Sequence, residues 1–355
     1  MPHPKEVSLV LLPRARFDVI DVAQRIAQES GDLLSRFRKA LYCSYHTTAG
    51  YLEQSLCARL RHSRERVAPF IRAFQRLFPP GADYRHDQLQ LRNELSEEER
   101  QHEPRNADSH LTFIGSGLKN CVTYINRPGV PVYFIDLDGI HEKGRRTRRT
   151  TVLAYNEEEV VHRGQIAVPV SRHSIDSVNL RDPRNGFMDQ LNTWLARGGI
   201  DKGRVDVALE PMERHVGLTV NEYETLLMRH DLAEVLHNPL RLMAIHGKHM
   251  LRHPMAIPTK TMDHAKYDLV HILNELMDAF RVSESVVERI VAAFMGVPAS
   301  RFLRVKRSIS LLVSDAEGDG KGRIVRGRYQ SPILIQWKRA DDRVRRLDVT
   351  ITRFK

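Results

Sequence analysis

Apolar residues fall in short runs along this chain, some at strand period and some at helix period, with no βαβ rhythm between them. Residues 7 to 12 read as an apolar strand stopped by Pro13. Residues 40–46, 119–126, 130–137 and 150–155 read as further strands. Arg127-Pro128-Gly129 lies between two of them and signals a hairpin. Residues 18–27 carry a helical stripe of Val19, Ile20, Val22, Ala23 and Ile26. Residues 59–78 carry another, with Phe70, Ile71, Phe74, Leu77 and Phe78, and Pro79-Pro80-Gly81 stops it. The charged stretch 87–103 reads as a surface excursion, and 109–116 opens either a helix or a tight loop.

The second half has a related pattern. Polar residues 157–164 look like a linker, and 165–170 repeat an opening strand. A helix over 188–197 ends at Gly198-Gly199. Residues 204–209 form a strand, and 221–237 are helical in character. Two more helices are predicted over 267–280 and 285–295, the second opened by a capping-box spacing of Ser285 and Glu288. Strands over 309–313, 323–329, 333–337 and 347–352 close the chain. The sum is an α+β chain with mostly antiparallel sheet.

Composition adds limits. At 355 residues the chain has room for two or three domains, each with its own core. No apolar run approaches the ~18 residues that span a bilayer, and Met1 to Glu6 has no apolar stretch of the signal-peptide kind. Cys43, Cys57 and Cys121 are odd in number and lack a Cys-x-x-Cys spacing, which favours a reducing cytoplasm. A net charge of +11 favours anionic partners, either phosphorylated metabolites or nucleic acid. Against nucleic acid stand an aromatic content of only 7% and the lack of a recognisable binding motif or basic tail. Five cations crowd Lys143 to Arg149. On a strand Arg146 and Arg148 would share one face and Arg145 and Arg149 the other. Either pair suits a phosphate, and either suits a solvated turn.

The candidate chemistry lies in three short motifs: His46-Thr47-Thr48-Ala49, Tyr84-Arg85-His86-Asp87 and Asn106-Ala107-Asp108-Ser109-His110-Leu111. Three imidazoles and a carboxylate are the groups that hold a divalent metal or move protons near neutral pH. With these motifs in this order, residues 5–155 resemble the YjbQ family of small α+β proteins, credited with a secondary thiamine-phosphate synthase activity. The family's Asn-Glu pair reads here as Gln54-Ser55, and its Gly-x-Trp-Gln strand as Val132-Tyr133-Phe134-Ile135.

The missing pieces recur later. Leu218 to Glu222 with Arg229-His230-Asp231 resembles the family's Leu-Thr-Leu-Asn-Glu and Arg-His-Asp, and Gly327-Arg328-Tyr329-Gln330 resembles its Gly-x-Trp-Gln strand. Tyr329 precedes Arg345 by 16 residues, as Tyr133 precedes Arg149. The chain is therefore expected to hold two diverged tandem YjbQ-like copies, 1–160 and 165–355, the second with a helical insertion at about 238–297. Copy 2 carries Glu213 in place of His46 and Arg301 in place of His110. It is either a scaffold or a donor of Glu222 or Gln330 to a composite site. The family's symmetric oligomers imply a homo-oligomer here.

What the resemblance implies is a transferase-like coupling of phosphorylated small molecules. His46, His86 and His110 would hold a divalent Zn or Mg, with Asp87 as further ligand or as orienter of His86. Thr47, Thr48, Arg145, Arg146, Arg148, Arg149 and Glu222 are the candidate substrate contacts. The alternatives are a metal-dependent phosphoester hydrolase at the same histidines and a non-enzymatic basic binding protein. His246, His249 and His253, at helical spacing, make a second conceivable metal set.

Overall fold

In the computed structural model the described residues are 2–81, 84–91, 96–141, 144–173, 176–222 and 306–355. The predicted helices over 267–280 and 285–295, His246, His249, His253, Arg229 to Asp231 and Arg301 lie outside them. The chain forms two compact units. Among the described residues, the sheet unit lies within 2–54, 117–222 and 306–355, and the helical unit within 55–116.

The first half supplies β1 (Lys5–Leu11), β2 (Asp18–Asp21), α1 (Val22–Ser30), β3 (Lys39–Ser44), β4 (Ala49–Tyr51), α2 (Gln54–Arg59), α3 (Arg64–Leu77), α4 (Glu97–His102), α5 (Ala107–Ser116), β5 (Cys121–Ile125), β6 (Tyr133–Asp136), the short β7 (Ile140–His141) and β8 (Gly144–Arg145), and β9 (Arg148–Tyr155). The second supplies β10 (Glu158–Pro169), β11 (Asp176–Asn179), α6 (Phe187–Gly198), β12 (Gly203–Leu209), β13 (Val216–Glu222), β14 (Ser308–Ser314), β15 (Arg323–Val325), β16 (Gln330–Gln336) and β17 (Val344–Phe354).

One topology appears twice in the sheet unit. The large sheet of the first half runs β1-β9-β3-β5, and that of the second runs β10-β17-β12-β14-β15. Each half adds a three-stranded sheet, β2-β6-β4 and β11-β16-β13. Every strand pairing among the described residues is antiparallel. Binary patterning explains the faces: in β12, Val205, Val207 and Leu209 point into the core while Arg204, Asp206 and Ala208 alternate outward. The second half's core packs β10, β12, β14 and β17 residues on Phe187, Leu191 and Leu195 of α6. A second cluster joins the two halves through Leu41, Cys43, Cys121 and Leu153 with Leu312 and Phe354. There Tyr155 stacks on Phe354 at 3.7 Å between ring centroids.

Several sequence expectations change. The stripe over 18–27 is strand as far as Asp21, whose carboxylate then caps α1 by accepting from Gln24 N. The helix expected over 59–78 is α3, which starts only at Arg64: Arg59 closes α2, and Arg61 and His62 take positive φ (55° and 49°) between the two. The Arg127-Pro128-Gly129 turn is not a hairpin. It joins β5 of the large sheet to β6 of the small one, so its flanking strands pair with different partners. Residues 157–164 are not a linker but the start of β10, a 12-residue strand hydrogen-bonded to β17. Asn221 and Glu222, expected to open a helix, end β13 instead. Residues 327–329 form a turn, and their strand begins at Gln330.

Candidate functional site

In the helical unit, the sequence places His86 and Asp87 on a single 3-10 turn (Arg85–Asp87) and His110 on α5. Asp87 ties these elements together. Its Oδ1 accepts from the Ala107 amide at the start of α5 (3.0 Å) and lies 3.1 Å from His86 Nδ1. A carboxylate at a helix N-terminus also meets the positive end of the helix dipole. The histidine rings lie 4.9 Å apart between centroids, at 50° to one another, and both residues are fully buried. All ten residues of α5 are buried, which fixes His110, and the expected helix-or-loop at 109–116 is settled as helix. The excursion expected over 87–103 begins inside, because Asp87 is buried; Gln90 and α4, with its Ser96–Glu99 capping box, lie at the surface.

The donor set suits a divalent metal. Asp87 on Nδ1 of His86 makes Nε2 the donor nitrogen, as in carboxylate–histidine–metal arrangements. Of the two roles that the sequence left open for Asp87, the contact to His86 Nδ1 is the one expected of an orienter.

In the sheet unit, His46 follows β3, which ends at Ser44, two residues short of the strand predicted from the pattern. The His46 backbone is clamped. Its carbonyl accepts from Asn120 Nδ2 (2.6 Å) and from Gln330 Nε2 (2.9 Å), and Gln330 also donates to the Ser44 carbonyl. Gly327 lets this turn come so near, since a Cβ there would sit 1.9 Å from the Tyr45 carbonyl oxygen. The His46 side chain is engaged as well, with Nε2 accepting from the Arg149 amide at 2.7 Å. That bond requires the neutral ring to carry its proton on Nδ1. Burial, then the charges of Arg148, Arg146 and Arg149, hold its pKa down to about 3, so the ring stays neutral at physiological pH. His46 in this state is an N–H donor. To ligate a metal through Nε2 it would have to release the Arg149 amide.

The arginine run divides as strand alternation predicts, but the inward pair is already occupied. Arg148 is buried and bidentate to Asp136 (2.7 Å at both Nε and Nη2), and it also donates to Asp138 O and to Thr48 Oγ1. Burial raises the Asp136 carboxyl and the guanidinium opposes it. Arg146 pairs with Asp138 at 2.9 Å. Arg145 and Arg149 stay exposed. Thr48 is thus a partner of Arg148, and Thr47 is buried beside it in sequence. Glu222 is half-buried at the end of β13, in register with Gln330. The sequence reading missed Asp136, Asp138 and Asn120. The signal for the first two was there, because an arginine in an apolar strand needs a buried acid and Asp136-Leu137-Asp138 ends the preceding strand.

The second half builds a matching constellation. Arg345 is buried and pairs with Glu213 at 2.8 Å, with its Nε on Gln336 Oε1. Glu213 Oε1 accepts from the Arg346 amide (2.9 Å), just as His46 accepts from that of Arg149. The sequence equation of Glu213 with His46 therefore has a geometric counterpart. The 16-residue spacing, however, equated Arg345 with Arg149, whereas the buried arginines are Arg345 and Arg148. Asp136 and Gln336 take the corresponding Nε donors, which sets Tyr133 against Ile333 rather than Tyr329.

No family model matches the chain, and no curated protein does. Solved structures of similar shape include a YbjQ-like protein of unknown function from Sulfolobus solfataricus (16% identity, covering 56% of this chain and 99% of that one, TM-score 0.29). Others are an uncharacterized conserved protein of the YjbQ family from Clostridium acetobutylicum (11%, 53% and 98%, TM-score 0.26) and a conserved hypothetical protein from Thermus thermophilus (16%, 54% and 99%, TM-score 0.23).

Proposed function

We propose that the chain is a YjbQ-like, metal-dependent enzyme acting on phosphorylated small molecules, built from two diverged copies of one domain. The observation that carries this reading is the buried His86–His110 pair with Asp87 set on His86 Nδ1. Of the two metals, two imidazoles with an orienting carboxylate suit Zn, and an incomplete protein ligand set leaves positions for substrate oxygens. The reaction the family resemblance favours is thiamine-phosphate synthase-like: a pyrimidine pyrophosphate joins a thiazole phosphate and pyrophosphate leaves. The metal, when bound, would neutralise charge on the departing pyrophosphate.

The protein groups divide by what they are free to do. Arg148 and Arg146 are tied to Asp136 and Asp138, so their part is to position β9 and Thr48. Among the described residues of the run, Arg145 and Arg149 are the exposed cations and suit a phosphate. His46, neutral with Nδ1–H, suits hydrogen-bond donation to an anion rather than proton abstraction. Glu222 remains the second half's candidate contribution. Coupling activity should fall at least a hundredfold in His86→Ala and His110→Ala, and should fall in Glu222→Ala but not in His215→Ala. Wild-type turnover in both histidine variants would reject the reading. Release of phosphate from phosphoesters without coupling would give the same site a hydrolase role.

A further inference from the structure

The first half forms an open cleft of about 550 Å³ between α1, the segment 31–37 and the segment 125–133. That volume suits a small organic ligand. None of the candidate catalytic or phosphate-binding residues lines it.

Its wall is aromatic and carries two polar groups with spare capacity. Tyr42 and Tyr124 meet edge to face at 5.5 Å between centroids, and Phe37 and Tyr133 extend the surface. The Tyr124 hydroxyl is used, donating to the Leu52 carbonyl. Tyr42 is 1% exposed, and its hydroxyl has no hydrogen-bond partner among the described residues. Burial, then the nearby Asp21 charge, push its phenol up. Asp21 accepts the Gln24 and Val132 amides on Oδ1, while Oδ2 has no donor and the carboxylate no cation among the described residues. Asp32, also in the wall, is already paired with Arg36, and the exposed Arg127 stands at the rim. The 125–133 wall is preformed. Val130 N donates to Arg127 O, and Pro128 with Gly129 (φ +72°) fills the central positions of a type II turn.

We infer that this cleft binds a small, flat aromatic cation, its ring against the tyrosines and its nitrogen donors on Asp21 Oδ2 and the Tyr42 hydroxyl. An anion would meet the Asp21 charge instead, and a purely apolar ligand would leave the buried Tyr42 hydroxyl without a partner.

Benzamidine is the probe, with benzamide as its neutral isostere and benzoate as its anion, titrated into the full chain by heteronuclear NMR. The expected result is saturable benzamidine binding with Kd on the order of 0.1–1 mM, centred on 21–42 and 124–133, and benzamide and benzoate at least about tenfold weaker. Asp21→Asn keeps a good helix cap, so it should fold and lose about tenfold; Tyr42→Phe should lose about threefold. Absence of benzamidine shifts at ~10 mM, or benzamide binding equally well, would overturn the proposal. The ligand comparison stands on the wild-type protein even if a variant misfolds. Because the cleft shares no residue with the histidine set, metal loss from His86→Ala bears on that set alone.

Discussion

The two halves of the sheet unit repeat one strand order and differ in what meets a buried arginine and the amide after it. Each ties its last long strand inward with a buried arginine, Arg148 or Arg345. Each presents the next amide, of Arg149 or Arg346, to an acceptor. In the first half that acceptor is His46, while an aspartate holds the arginine; in the second, Glu213 does both jobs. One carboxylate satisfies the arginine and the amide at once, so Glu213 is a sufficient structural answer. The first half therefore holds at this place a neutral imidazole, with Nδ1–H left to donate, where the second half holds a carboxylate engaged on both oxygens.

The largest expected effect concerns what the halves share. Arg148→Ala leaves Asp136 buried without its cation and should cost about 3–5 kcal/mol of unfolding free energy. Arg345→Ala should cost a similar amount through Glu213, and urea titration of both variants checks the parallel. A loss under about 1 kcal/mol in either would end it. The difference is tested by exchange. Glu213→His should destabilise by about 2–4 kcal/mol, because Arg345 loses its carboxylate. His46→Glu should leave stability within about 1 kcal/mol, since the new carboxylate accepts the same amide among arginines, yet it should abolish coupling activity. Full activity in His46→Glu would remove His46 from the proposed chemistry.

A smaller effect is pH-dependent. The folded pKa of His46, about 3, lies below the ordinary 6.5. Unfolded chains therefore bind the proton first, and the His46 contribution is complete above pH 6.5 and is lost as pH falls toward 3. Its slope is at most about 1.4 kcal/mol per pH unit. Denaturation between pH 7.5 and 5 should be flatter in His46→Gln by up to that amount; identical slopes would contradict the buried neutral ring. The smallest effect belongs to Gln330→Ala. It removes one donor from each of the Ser44 and His46 carbonyls and should cost about 1–2 kcal/mol, with a rise in KM.

Much of this was legible before any coordinates. Strand period gave β1, β3, β9, β12 and β17 to within a few residues, because alternation and burial coincide there. The ordered motifs brought out His86, Asp87 and His110, which do lie together. Pairing was not legible. The Pro128-Gly129 turn looks the same whether it closes a hairpin or hands the chain to another sheet. The polar start of β10 looked like a linker because both neighbours of its outward residues are solvent. Within the arginine run, alternation found the two faces but not their occupants, since Asp136 and Asp138 act across a turn rather than within the motif.

Metal stoichiometry tests the central claim most directly. Wild-type protein, dialysed against metal-free buffer after loading, should retain one divalent ion per chain by inductively coupled plasma mass spectrometry, and His86→Ala and His110→Ala should retain close to none. Two ions per chain, or full retention in both variants, would contradict a single histidine centre in the first half.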